Sequence, residues 1–195
     1  LTDMDQPLGQ AVGNALEIRE AVATLTGEGP PDLRELVLGA AMHLLTLSDL
    51  GIDAAEGRAR AEGAIADGSA LAVYERWIRA QGGDPDLEAL PGAPVTRHVP
   101  ASAGGFVQRI ATTAIVEAAL GLGAGRLRKE DDIDHAVGIV CVAKRGDEVG
   151  VGDALAEIHA RTEESAEAAA AEVSAAYRVG QKRPDDIPIV LDVIA

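Results

Sequence analysis

The chain has 195 residues, 47% of them hydrophobic and 25% charged, which suits one compact domain or two small ones and excludes a wholly disordered chain. Acidic residues outnumber basic ones 32 to 17, for a formal net charge of -15. A field of that sign repels phosphate backbones, so general nucleic-acid binding and docking on anionic membranes are not expected.

Gln6-Pro7-Leu8-Gly9 reads as a turn, since Pro fixes φ and Gly permits positive φ. The five residues before it are too short to form an element alone. Val12, Ala15, Leu16, Val22 and Leu25 make an apolar stripe that predicts a helix over 11–25, ended by Gly27-Glu28-Gly29-Pro30-Pro31. Helical spacing continues from Pro31 to about Leu47, and two further helices are expected over 53–67 and 69–81. Gly82 to Pro94 (GGDPDLEALPGAP) carries three prolines and reads as a domain boundary. Beyond it the texture changes. Short strands are expected over 95–99 and 106–110, a helix over 112–122, and a β-branched strand over 137–143 (VGIVCVA). Lys144-Arg145-Gly146-Asp147 reads as a hairpin turn with 149–160 as its return path. An Ala-rich helix over 162–178 has Thr162 as its cap and Glu163, Glu164 and Glu167 at the positive end of its dipole. Residues 187–194 read as a last strand. The expected plan is α+β: a helical segment 1–81, a linker 82–94 and a compact α+β domain 95–195.

Tyr74, Trp77, Phe106 and Tyr177 are the only aromatics, so Ala, Val, Leu and Ile must build the core. Cys141 stands alone, which excludes an internal disulfide framework and a cysteine-rich zinc site and fits a reducing cytoplasm. No apolar run approaches the roughly 20 residues that span a bilayer, and the acidic start Leu1 to Asp5 is unlike a signal peptide. A chain that starts on Leu rather than Met is expected to be processed or part of a longer one.

Chemistry is hard to find in these residues. Gly121-Leu122-Gly123-Ala124-Gly125-Arg126 has the composition of a phosphate loop, but such a loop follows a strand and opens a helix, whereas these glycines follow a helix and read as its end. Arg126, Arg128 and Lys129 are followed at once by Glu130, Asp131, Asp132 and Asp134, a solvated mixed-charge loop. Asp131, Asp132, Asp134 and His135 include metal-ligand types without a ligand spacing, and His43, His98 and His159 are far away in sequence. Cys141 falls inside a buried strand, where a thiol is inert.

The order Thr2-Asp3-Met4-Asp5-Gln6-Pro7-Leu8-Gly9-Gln10-Ala11-Val12-Gly13-Asn14-Ala15-Leu16-Glu17 is far more specific. It resembles the signature segment of the thymidine and pyrimidine-nucleoside phosphorylases. The similarity continues through Gly27 to Leu33, Ala80 to Pro85, Leu122 to Arg126, Asp132 to Asp134, Ala136 to Ile139 and Gly152 to Ala160. The resemblance implies an enzyme that transfers the pentose of a pyrimidine nucleoside to phosphate, giving free base and pentose 1-phosphate, in a cytoplasmic homodimer without an organic cofactor. It implies that this chain is the C-terminal part of such a protein: a helical remnant of the α/β domain, then a C-terminal domain with a hammerhead-like β sandwich. The family's phosphate loop and base-binding Arg, Ser and Lys lie upstream of the matching segment, so no catalytic or substrate-binding residue carries over. A monovalent cation site does carry over, commonly for potassium, with the carbonyls of Leu8 and Ala11 and the carboxylate of Glu20 as ligands. A rival reading is a non-catalytic carrier or regulatory module, because Arg145 to Leu155 resembles biotinyl and lipoyl carrier hairpins. There Lys144 would be the attachment lysine, although it lacks the usual flanking residues.

Overall fold

The computed structural model describes residues 1–126 and 128–194. Its elements, in chain order, are β1 (Ala11–Val12), α1 (Asn14–Leu25), α2 (Pro31–Thr46), α3 (Ala54–Ala66), α4 (Ser69–Ala80), a 3-10 turn (Leu87–Ala89), β2 (Val95–Pro100), β3 (Gly105–Ile110), α5 (Thr112–Leu122), β4 (Gly138–Val140), β5 (Glu148–Val149), β6 (Ala154–Ala160), α6 (Glu163–Ala176) and β7 (Tyr177–Gly180). The fold is α+β. The chain forms two compact units, Leu1–Ile18 with Leu90–Ala195, and Arg19–Ala89.

The first unit is built on two antiparallel sheets, one with strand order β1-β4-β6-β2 and one with order β5-β3-β7. Alternation along β6 sends Ala156, Ile158 and Ala160 into the core and leaves Glu157 and His159 on the other face. Helix α6 turns Ala166, Ala169, Val173 and Ala176 inward, and small side chains let it lie close on β2, β6 and α5. Thr162 caps it as expected: its hydroxyl accepts from the Ser165 amide at 3.1 Å, while Ser165 bonds back to Thr162. Ile110, Ile115, Ile139, Ile158 and Val173 are among the fully buried side chains, so aliphatic groups do build this core.

Two glycines let β1 reach its sheet. A Cβ on Gly138 would stand 2.5 Å from the Val12 carbonyl oxygen, and one on Gly13 would stand 2.6 Å from that of Val137. Only glycine allows the backbones to cross this closely.

The second unit is helical. Helix α2 packs on α3, and α3 on α4. Asp53 caps α3 through the Glu56 amide at 2.9 Å. Gly57 lets the α2–α3 pair close, its Cβ position lying 3.1 Å from the Met42 carbonyl oxygen. The Arg58 guanidinium forks onto Glu35 at 2.8 and 2.7 Å.

Four expectations need correction. The first helix does not begin at residue 11, because Ala11 and Val12 pair with Val140 and Ile139 as a strand and α1 starts after Gly13. The segment 144–147 turns, with the Asp147 amide on the Lys144 carbonyl at 3.0 Å, but it does not close a hairpin: it leads to β5, which pairs with β3, and the return strand to β4 starts only at Ala154. The Ala-rich helix stops at Ala176, because Tyr177 is extended and opens β7, paired with Ile110. Residues 187–194 form no strand and keep a single bridge, Val190 to Thr2. Pro188 supplies no amide for a ladder there.

Candidate functional site

The signature turn ahead of β1 is held from many sides. Gly9 sits at φ 64°, a conformation that suits glycine, and lets the chain reverse after Pro7 and Leu8. The Gln10 carbonyl accepts from the Cys141 amide at 2.7 Å, and β1 then pairs with β4. The Gly13 amide donates to the Glu17 carboxylate at 3.1 Å, closing the first turn of α1. The Asn14 side chain donates to the Ala124 carbonyl at 2.8 Å.

The loop after β4 grips the same segment from a distance of well over a hundred residues in sequence. The Lys144 ammonium donates to the carbonyls of Pro7 and Gly9. The Arg145 guanidinium meets the Asp3 carboxylate at 2.6 Å, with side chains only 10% and 7% exposed, and the Arg145 amide donates to the Gln6 side-chain oxygen at 3.1 Å. Burial opposes ionisation of Asp3. The Asp5 amide, the Arg145 guanidinium and the charge of Lys144 outweigh it and hold the carboxyl below its ordinary range. Tyr177 ties the far end of this loop, its buried hydroxyl lying 3.1 Å from the carbonyls of both Ala143 and Leu155. Burial, with Cys141 beside it, pushes that phenol well up.

Among the expected ligands, Leu8 has an exposed side chain and Ala11 a buried one within β1, both in the first unit. Glu20 follows on α1 in the second unit, half-buried. Backbone carbonyls with one carboxylate are a hard-oxygen donor set of the kind a potassium ion takes. The carbonyls that the turn presents to the Lys144 ammonium are those of Pro7 and Gly9.

The other candidates resolve into structural roles. Gly123 ends α5 at φ 101°, and the cavity beside Gly125 is also lined by Glu17, whose negative charge disfavours a phosphate. Asp131 accepts from the Arg128 amide at 2.7 Å within its own loop. Asp134 forks onto Arg161 at 2.5 and 2.6 Å, a contact that lowers its pKa. Cys141 is fully buried and His43 is exposed on α2. Sheet register brings together two histidines that are remote in sequence: Glu157 lies 2.8 Å from His159 and 3.6 Å from His98. Among the described residues, no group of three His, Cys, Asp or Glu is placed to hold a metal ion. Nor is any helix of these residues long and apolar enough to cross a membrane. The grip of Lys144 and Arg145 on the signature turn had no local signal in the sequence.

Comparison with known proteins agrees with the resemblance. The family profile "Pyrimidine nucleoside phosphorylase C-terminal domain" matches residues 106–180. A pyrimidine-nucleoside phosphorylase of Geobacillus stearothermophilus is 43% identical over 168 residues, and one of Staphylococcus aureus (strain USA300) is 44% identical over 168. Each match takes in 84% of this chain and 39% of the relative, so the chain spans about two fifths of the length of these proteins. The chain belongs, as a C-terminal portion, to the pyrimidine-nucleoside phosphorylase family.

Proposed function

We propose that this chain is the C-terminal part of a pyrimidine-nucleoside phosphorylase, which moves the pentose of thymidine or a related nucleoside onto phosphate. The observation that carries the reading is the identity of 43–44% to enzymes of that name across 84% of the chain. Phosphate would attack the anomeric carbon through an oxocarbenium-like state while cationic and hydrogen-bonding groups stabilise the leaving base. No residue of this chain is assigned to that step. Its part is positioning: Leu8 and Ala11 offer carbonyls and Glu20 a carboxylate to a monovalent cation such as potassium. That ion, when bound, supplies positive charge beside the phosphate. The working protein in this reading is a cytoplasmic homodimer, with a helical segment over 1–81, a linker over 82–94 and a hammerhead-like domain over 95–195.

The chain alone is expected to be inactive. Incubation with thymidine or uridine and phosphate tests this directly, and phosphate-dependent release of base would overturn it. Sequencing the coding DNA upstream of Leu1 tests the larger claim. An open frame encoding a glycine-rich phosphate loop and a base-binding Arg, Ser and Lys supports it, and a start codon without such a frame removes it. The carrier reading is less well supported, because the Lys144 ammonium is half-buried and engaged with two carbonyls. Unmodified Lys144 in an intact-mass measurement would leave the carrier reading without support.

A further inference from the structure

We propose that the C-terminal tail over 187–194 is a detachable strap, a strand that sets the Asp3 carboxylate against Arg145 and so holds the entry to the signature turn. Tail and entry meet as a short antiparallel ribbon. The Leu191 amide donates to the Leu1 carbonyl at 2.8 Å, the Asp3 amide donates to the Ile189 carbonyl at 2.9 Å, and Thr2 bridges Val190 between them. The Leu1 nitrogen adds a bond to the Asp192 carbonyl at 2.8 Å. Among the described residues, the backbone-to-backbone hydrogen bonds of residues 1–3 all run to this tail.

The ribbon matters because of what the Asp3 side chain holds. Its carboxylate accepts from the Asp5 amide at 3.0 Å and meets the Arg145 guanidinium at 2.6 Å, in a site nearly closed to water. Arg145 in turn donates its amide to the Gln6 side chain at 3.1 Å. Contacts therefore lead from the tail through Asp3 to Asp5 and, by way of Arg145, to the start of the turn. A pair this closed depends on its geometry, because a carboxylate moved off its partner there is left poorly solvated. Thr112 holds Met4 independently, its hydroxyl donating to the Met4 carbonyl at 3.1 Å, so the tail acts on Asp3 and its partners rather than on the whole segment. The tail itself is lightly held. Ile187, Leu191, Val193 and Ile194 are exposed, and Pro188 offers no amide. With so few buried apolar contacts, the tail belongs to the low-stability end of the fold and can leave while the sheets stay intact. The proposal stands whether or not the turn binds a cation.

The test compares the 195-residue chain with a form ending at Asp186, by NMR of amide exchange and of the Asp3 carboxyl. The amides of Asp5 and Arg145, neither of which touches the tail, are expected to exchange about tenfold faster in the shortened form, the scale of losing a charged hydrogen bond. In the 195-residue chain burial opposes ionisation of Asp3, but the Asp5 amide, Arg145 and the charge of Lys144 hold its carboxyl below the ordinary range. Without the tail that titration is expected to move up toward the ordinary aspartate value. Protection in β6 and α6 should not change. A synthetic peptide of residues 187–195, added in excess, should restore both readouts, as strand addition does elsewhere, whereas the same peptide with Leu191→Pro should not. In the 195-residue chain, Leu191→Pro removes one ladder donor and should shift the same groups in the same direction by less. Unchanged Asp5 and Arg145 amides after shortening would overturn the proposal. So would a loss of protection in β6 and α6 along with them, which would make the tail part of the core, or a wild-type peptide that restores nothing.

Discussion

The two units are made from similar residues and are stabilised very differently. Nearly every buried apolar side chain lies in the first unit, where two sheets and two helices enclose Ile110, Ile115, Ile139, Ile158 and Val173. Between Arg19 and Ala89, the buried apolar side chains among the described residues are Leu38 and Ile65. The same stretch leaves Leu44, Leu47, Leu50, Val73 and Trp77 exposed. Sheets can bury alternate residues against two layers, whereas helices in a thin stack bury one narrow stripe each. Apolar content is thus a poor guide to stability until it is known which face is covered.

That contrast can be tested in order of size. Ile158→Ala, at a site with no solvent access, is expected to lower the stability of the first unit by about 4 kcal/mol, against about 2 kcal/mol in the second unit for Leu38→Ala. Urea unfolding followed by circular dichroism measures both, and equal losses would erase the distinction. Arg145→Met strands the Asp3 carboxylate in a nearly closed site and should cost about 3 kcal/mol, seen as a fall in the denaturation midpoint. Gly138→Ala puts a methyl group 2.5 Å from the Val12 carbonyl oxygen and should cost about 2 kcal/mol. The sharper sign of this variant is rapid hydrogen exchange at β1 while β6 stays protected.

The pH dependence follows from Asp3. Its carboxyl titrates lower in the folded chain than in the unfolded one, so the stability that it contributes is present above the ordinary aspartate value of 3.8 and is lost as pH falls through the lower folded value. Asp3→Asn should therefore be less stable than wild type near neutrality and should flatten the decline in acid, read by thermal melts across that range. In the second unit, Glu35→Gln is expected to leave the midpoint unmoved, because the Arg58 pair is exposed to solvent. A large shift there would mean that the helical unit depends on its charges.

Local patterns were readable wherever a decision was local. Helices α2 to α6 fall close to where the sequence places them, with Thr162 capping α6 as expected, and the family likeness lies in the linear order from Thr2 to Glu17. What was missed depended on distant partners. Ala11 and Val12 satisfy a helical stripe equally well, and only β4 makes them a strand. Tyr177 follows a strong helical run, yet its buried hydroxyl bonds and its pairing with Ile110 outweigh propensity. Lys144 looked like a turn residue because its contacts lie 137 and 135 positions away. No sliding window reaches that far.

This separation bears on the order of events during synthesis. The signature turn and β1 are made long before Cys141, Lys144 and Arg145, and the chain traverses the whole of 19–89 in the interval. The helices can form from near neighbours as they emerge, but the turn has nothing to close against until the loop at 141–145 exists. A ribosome paused within 82–94 would therefore carry formed helices behind an unsettled turn, and the segment that most plainly declares the family would be among the last to take its shape.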